Sequence, residues 1–214
     1  MSPQLPSVSS GGAFFRHLFQ QVEAERQDTE VNPDSCATHL RKVLQRIAGK
    51  HCSRSAAYWV KIDRNARTRL GNTLCTQIKF SDKADGRAAL NHSALRLDGL
   101  KALEDGACLS LAINIDHNDR LIGYSVGLQG TARTGQRLFY ARIDLHEASL
   151  SDLPRVNEGG FANHPLLHLQ FGADPNDSAE LPAARAPLPF LLPWHAVDWL
   201  LAVTHPPLEP EPFR

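Results

Sequence analysis

The chain has 214 residues, 42% of them apolar and 21% charged, the balance of an ordinary globular domain long enough to bury one good core. It contains no run of eighteen apolar residues, which excludes a membrane-spanning helix of the usual kind. Formal net charge is +0, but residues 1–100 carry fifteen Lys/Arg against nine Asp/Glu and residues 101–214 carry eight against fourteen, an asymmetry that suits self-association or internal docking of the two halves.

Residues 1–11 are rich in Pro, Ser and Gly and read as a flexible leader, without the basic start and apolar stretch of a secretion signal. The expected location is therefore the cytoplasm, with Cys36, Cys52, Cys75 and Cys108 as reduced thiols. No two of them form a CxxC, and their spacings fit no zinc finger. A first amphipathic helix is expected over 12–27, where Phe14, Phe15, Leu18 and Val22 recur at helical spacing. A second starts at Pro33, capped by Asp34 or Ser35, with Leu40, Val43, Leu44 and Ile47 as its apolar stripe and Gly49 as its stop. The short link makes the two helices antiparallel neighbours. Arg41, Lys42, Arg46 and Lys50 fall off that stripe and open a basic run through Arg54, Lys61, Arg64, Arg67 and Arg69, opposed only by Asp63. Such a run is either the solvated surface of a helix and a hairpin or a patch for nucleic acid or an acidic protein.

After residue 55 the hydrophobic period becomes two. Tyr58, Val60 and Ile62 mark a strand, RNAR turns the chain, and Leu74, Thr76, Ile78 and Phe80 return opposite Cys75, Gln77 and Lys79. ALRLDGLKALEDG reads as a short strand and a helical turn. The clearest signal is a hairpin over 108–129: Leu109, Leu111, Ile113 and Ile115 alternate with Ser110, Ala112 and Asn114, DHND turns, and Tyr124, Val126 and Leu128 return facing away from Gly123, Ser125 and Gly127. RLFYARIDLHE adds a strand and completes a meander. Residues 147–165 form a long connection of the kind often used for function. LLHLQFG is a further strand. A Pro-rich extended segment then leads to Pro193, which opens a last helix packed through Trp194, Val197, Leu200 and Leu201, and 206–214 are a Pro-rich tail.

His164 and His168 stand four residues apart, the spacing of zinc-binding histidines on a helix. Leu167, Leu169 and Phe171 alternate with His168 and Gln170, however, and on a strand that spacing is about 13 Å, too far for one zinc ion with bonds of about 2 Å. No metal is expected. On RLFYARIDLHE, Phe139, Ala141, Ile143 and Leu145 form the apolar side and Tyr140, Arg142, Asp144 and His146 the other; pairing with LLHLQFG adds His168 and Gln170. This cluster is either the solvated face of an antiparallel sheet or a site where Arg142 holds a phosphate or carboxylate and a histidine does acid–base work. Asp116, His117 and Asp119 make a cation-like corner that the DHND turn itself needs. No Gly-rich phosphate loop, GxSxG or HExxH is present, so no cofactor is expected.

The run RxDxHE, then HPxxHLQFG, then an Arg–Pro segment before the last helix resembles uncharacterised bacterial domain families built on that order of motifs. The matching residues are Arg142, Asp144, His164, Pro165, His168 and, loosely, Arg185 with Pro187, all in the last third of the chain. Such families often lie near toxin–antitoxin or phage-defence genes, so the resemblance implies a setting rather than a chemistry.

These signs predict one α+β domain over 12–205: an antiparallel sheet of five or six strands with two N-terminal helices and one C-terminal helix. The leading expectation is a non-enzymatic protein that binds a macromolecular partner through Arg41, Lys42, Arg46, Lys50, Tyr140, His164 and Gln170. The partner is a protein, a second copy, or nucleic acid on the 41–69 run, and not a membrane. The alternative is a hydrolase or nuclease in which Arg142 holds an anionic substrate, His146 or His168 acts as base or acid, and Asp144 completes the cluster.

Overall fold

The computed structural model describes residues 8–52, 59–67, 74–80, 94–135, 138–146, 166–172 and 185–205. Within them lie helices α1 (Val8–Asp28), α2 (Pro33–Ile47) and α3 (Pro193–Thr204). The strands are β1 (Val60–Arg67), β2 (Leu74–Phe80), β3 (Ala94–Leu97), β4 (Ala107–Ile115), β5 (Leu121–Thr131), β6 (Leu138–Leu145), β7 (Leu167–Gly172) and β8 (Arg185–Pro187). They form one sheet in the order β1-β2-β4-β5-β6-β7-β8, with β3 on the same side of β4 as β2 and farther along it. Every pairing is antiparallel.

The α+β class and the three helices are as expected, but the sheet has eight described strands rather than five or six. The short strand expected at ALRL is β3, with four residues, and the strand not expected is β8, whose three residues are too few for a period to register. Pro187 is tolerated in β8 because an edge strand can leave one side unbonded. The expected turn at RNAR is instead the end of β1, which carries a bulge between Asp63 and Ala66. Asp63 Oδ1 accepts a hydrogen bond from Asn65 N at 3.1 Å there. Opposite the bulge the expected alternation fails, with Leu74 59% exposed and Cys75 4%. The helical turn expected after β3 is an irregular loop: Gly99 and Gly106 take φ of +70° and +93°, and their N–H groups donate to Asp105 and Asp98 carboxylates.

One face of the sheet is apolar because the period-two pattern puts Leu109, Leu111, Ile113, Ile115, Val126, Leu128, Ala141, Ile143, Leu145, Leu167 and Leu169 on it, all buried. Each large aliphatic side chain there contributes roughly 1.5–3 kcal/mol. Helix α2 adds Cys36, Ala37, Leu40, Leu44 and Ile47 to this core, with Val43 only half-buried. Its cap is Asn32 rather than Asp34 or Ser35: Asn32 Oδ1 accepts from Asp34 N (3.1 Å) and Ser35 N (3.2 Å), and Pro33 takes the first helical position, where a missing N–H costs nothing. Gly49, at φ +81°, follows the end as expected.

Helix α2 packs chiefly on α3 and β1, and α1 lies against β5, so the helical neighbour of α2 is α3 rather than α1. Helix α1 docks partly through a buried ion pair, Glu23–Arg26 at 2.5 Å, and Arg26 Nη1 donates to Ile122 O (2.5 Å) and His146 O (3.4 Å). On α3 the buried positions include Asp198, which pairs with Arg46 at 2.6 Å. Trp194 is half-buried and stacks on the exposed His39 ring at 4.7 Å. The four cysteines are free thiols, and burial pushes the Cys36 thiol up to about 12. No described helix is long and apolar enough to cross a membrane.

Helix α3 ends at His205, whose Nδ1 accepts from Lys101 N at 3.1 Å and whose ring centroid lies 4.4 Å from that of His51. Burial first, then the neighbouring His51 and Lys101 charges, hold the His205 imidazole below its usual range. The folded state therefore binds this proton less readily than the unfolded chain does. His205's contribution to stability is present above about pH 6.5, the unfolded value, and is lost as pH falls below it. His205→Asn keeps an acceptor for Lys101 N without the titration. Urea midpoints measured at pH 7.5 and pH 5 are expected to fall more in the wild type than in this variant, and equal falls would contradict the assignment.

Candidate functional site

The polar cluster is built by β6 and β7, whose register sets Arg142 opposite Gln170 and Asp144 opposite His168. Residues two apart on one strand and directly opposed across strands share a face, so Tyr140, Arg142, Asp144, His168 and Gln170 converge on the side away from the aliphatic core. Arg142 Nε donates to Asp144 Oδ2 at 2.5 Å and Arg142 Nη2 to Gln170 Oε1 at 3.1 Å. The guanidinium carbon lies 5.9 Å from the Tyr140 ring centroid. His168 Nε2 is 3.8 Å from Asp144 Oδ2, and the His146 ring stacks on that of His168 at 5.0 Å and 19°. Burial raises the Tyr140 phenol above its ordinary value, against the pull of Arg142, so it stays protonated at neutral pH.

The cluster is not the open surface that alternation alone suggested. His168 is 0% exposed, Asp144 5% and Tyr140 7%, whereas the Arg142 side chain is 35% exposed. The arrangement is a closed polar row with a guanidinium at its lip. On the neighbouring strand Gly127 stands opposite Arg142 and Ser125 opposite Asp144. A Cβ at Gly127 would meet Ser110 Oγ at 2.8 Å, too close without a shift of the serine, and Arg142 Cγ at an ordinary 3.7 Å, so glycine leaves room for Ser110. Alternation puts Gly127 on the polar side without a role, and no local signal supplies one, because the crowding comes from Ser110 on β4.

His164 and the 147–165 connection lie outside the described residues, as do Arg54 and Arg69. His168 itself sits on a strand, as the alternation required. The basic run is not gathered into one patch. Arg41 Nη2 donates to Val60 O at 3.1 Å, Arg46 pairs with Asp198, and Arg64 grips both oxygens of Asp34 at 3.0 and 2.9 Å, while Lys42 and Lys50 are exposed. Arg41 and Arg46 thus fasten α2 to β1 and α3. In the DHND turn, Asp116 Oδ1 accepts from Asn118 N (2.8 Å) and Arg120 N (2.9 Å), and Asp119 adopts φ +59°. Those carboxylates shape the turn. Among the described residues, no group of three or more His, Cys, Asp or Glu side chains is placed to hold a metal ion.

Chemically, a guanidinium fixed at two of its nitrogens and open to solvent on one side suits recognition of a planar or tetrahedral oxyanion. Acid–base catalysis asks more. The base must come within hydrogen-bond reach of a substrate proton, and the fully buried His168 presents no such surface. No family model, curated protein or solved structure matches the chain.

Truncating the carboxylate removes the acceptor that fixes Arg142 and leaves a partly buried cation. Asp144→Ala is expected to cost about 2 kcal/mol, the range for a hydrogen bond to a charged group. Asp144→Asn, which retains an acceptor oxygen, should cost less. Urea denaturation of the two variants checks the order; an unchanged midpoint in Asp144→Ala would show that the pair carries no weight.

Proposed function

We propose that this chain is a non-catalytic binding module whose polar sheet face takes an anionic group of a macromolecular partner through Arg142. The observation that carries this reading is the two-point fixing of a guanidinium on a side chain that is a third exposed. An arginine already held in one geometry loses little conformational freedom on binding, so its interaction with a carboxylate or phosphate is not spent on ordering the side chain. Asp144, Gln170 and Tyr140 orient it; His168 and His146 continue the row inward. The hydrolase reading is less well supported, because it needs His168 or His146 to meet a substrate. His168 is buried completely, and the Nε2 of His146 is also shielded from solvent.

Titration of the isotope-labelled protein with inorganic phosphate and with glutarate, followed by NMR, tests this. Shifts are expected at the Arg142 guanidinium and its β5 and β7 neighbours. Arg142→Lys, which keeps the charge but not the planar fork, should weaken binding roughly tenfold. Equal binding by that variant would overturn the reading, as would ester or phosphodiester hydrolysis that disappears in His168→Asn.

A further inference from the structure

Resting on the reading of the polar face as a binding surface, we infer that the partner segment is an extended acidic polypeptide that crosses the sheet from Arg142 to a second cationic post, the Lys61–Lys79 pair. Lys61 and Lys79 are directly opposed across β1 and β2. They share the face of Arg142, because Lys79 opposes Ala112, Ala112 opposes Ser125, and Ser125 opposes Asp144, two residues from Arg142. Lys61 is exposed and Lys79 half-buried.

Like charges directly opposed on a sheet repel. Among the described residues neither lysine has an ion-pair partner. Asp63, the acid next to them on this face, turns its Oδ1 to Asn65 N in the bulge. Among the described residues, Asp144 is taken by Arg142, and Arg96, farther along, is paired with Asp98. Among the described residues the face therefore carries two lysines without an ion pair at one post and a fixed guanidinium at the other, with the small half-buried Ala112 and Ser125 between them. A partner that brings negative charge to both posts relieves the lysine repulsion and meets the oriented arginine.

Geometry selects the form of that partner. From β2 to β6 there are three interstrand steps, about 14 Å, and Arg142 lies two residues, about 7 Å, along β6 from Asp144, the residue in line with Lys79, so the posts are about 16 Å apart. In an extended peptide, residues four apart share a face at about 13 Å. Two carboxylates four residues apart, unlike two carboxylates two residues apart, thus come within side-chain reach of both posts. A single-stranded nucleic acid is favoured less, because sheet surfaces that bind it stack bases on exposed aromatic rings. Tyr140, the aromatic on the polar side of β6, is 7% exposed.

Fluorescence anisotropy with labelled Gly/Ser/Thr-based peptides tests the inference, the probes carrying Glu at i and i+4, Glu at i and i+2, or Gln at i and i+4, beside a labelled oligothymidine. The i,i+4 peptide should bind roughly fivefold more tightly than the i,i+2 peptide. Lys61→Gln/Lys79→Gln and Arg142→Lys should each reduce that binding by a similar factor, and circular dichroism should show both variants folded. If the double lysine variant binds like the wild type while Arg142→Lys is weakened, the second post is wrong and the binding-face reading survives. If the oligothymidine binds more tightly than every peptide and needs the same residues, the partner class is wrong. If no probe responds to either variant, both readings fall.

Discussion

The burial of Asp144 is the constraint on which the β6–β7 half of the sheet depends. A carboxylate removed from water is costly unless a cation and hydrogen bonds replace its hydration. Arg142 supplies them from two residues away on the same strand, and Gln170 braces that arginine from across the ladder. This requirement also fixes the register. Slipping β7 by one residue would turn His168 and Gln170 toward the aliphatic side and bring leucines over to Asp144. The aliphatic face drives association of the sheet with its helices, but it would accept other leucine pairings; the polar row accepts one.

A structural requirement and a presented group are in this way the same set of atoms. Satisfying Asp144 consumes the Nε edge of Arg142, Gln170 consumes one terminal nitrogen, and what remains of the guanidinium points where water still reaches it. Helix α1 joins the same region from the other side through Arg26, which bonds the carbonyls of Ile122 and His146. The basic 41–69 run, by contrast, spends Arg41, Arg46 and Arg64 on fastening elements to one another. Its described lysines, Lys42, Lys50 and Lys61, are exposed.

Much of the architecture is legible in the sequence where elements are long. The β4–β5 hairpin alternates over nine residues on its first strand, and α2 repeats its apolar stripe over four turns, so both declare themselves. Strand β8 is too short to show a period, and the second half of β1 hides behind a bulge whose polar RNAR residues mimic a turn. The cap of α2 was misplaced because Asn32, Asp34 and Ser35 are all competent caps, and Pro33 decides among them by occupying the first helical position. Glu23 and Arg26 look like solvated helix residues and are buried as a pair instead. Membership of the polar cluster followed from alternation and one strand pairing. Its burial did not, since alternation tells which side a residue faces and not how much water reaches that side.

Hydrogen exchange at the Arg142 Nε–H, read by NMR of the arginine side-chain resonances, probes this arrangement most directly. If Asp144 holds that donor, the Nε–H exchanges slowly in the wild type and approaches the rate of a free arginine in Asp144→Ala. Fast exchange in the wild type, or slow exchange in both proteins, would contradict the central role given to the Arg142–Asp144 pair.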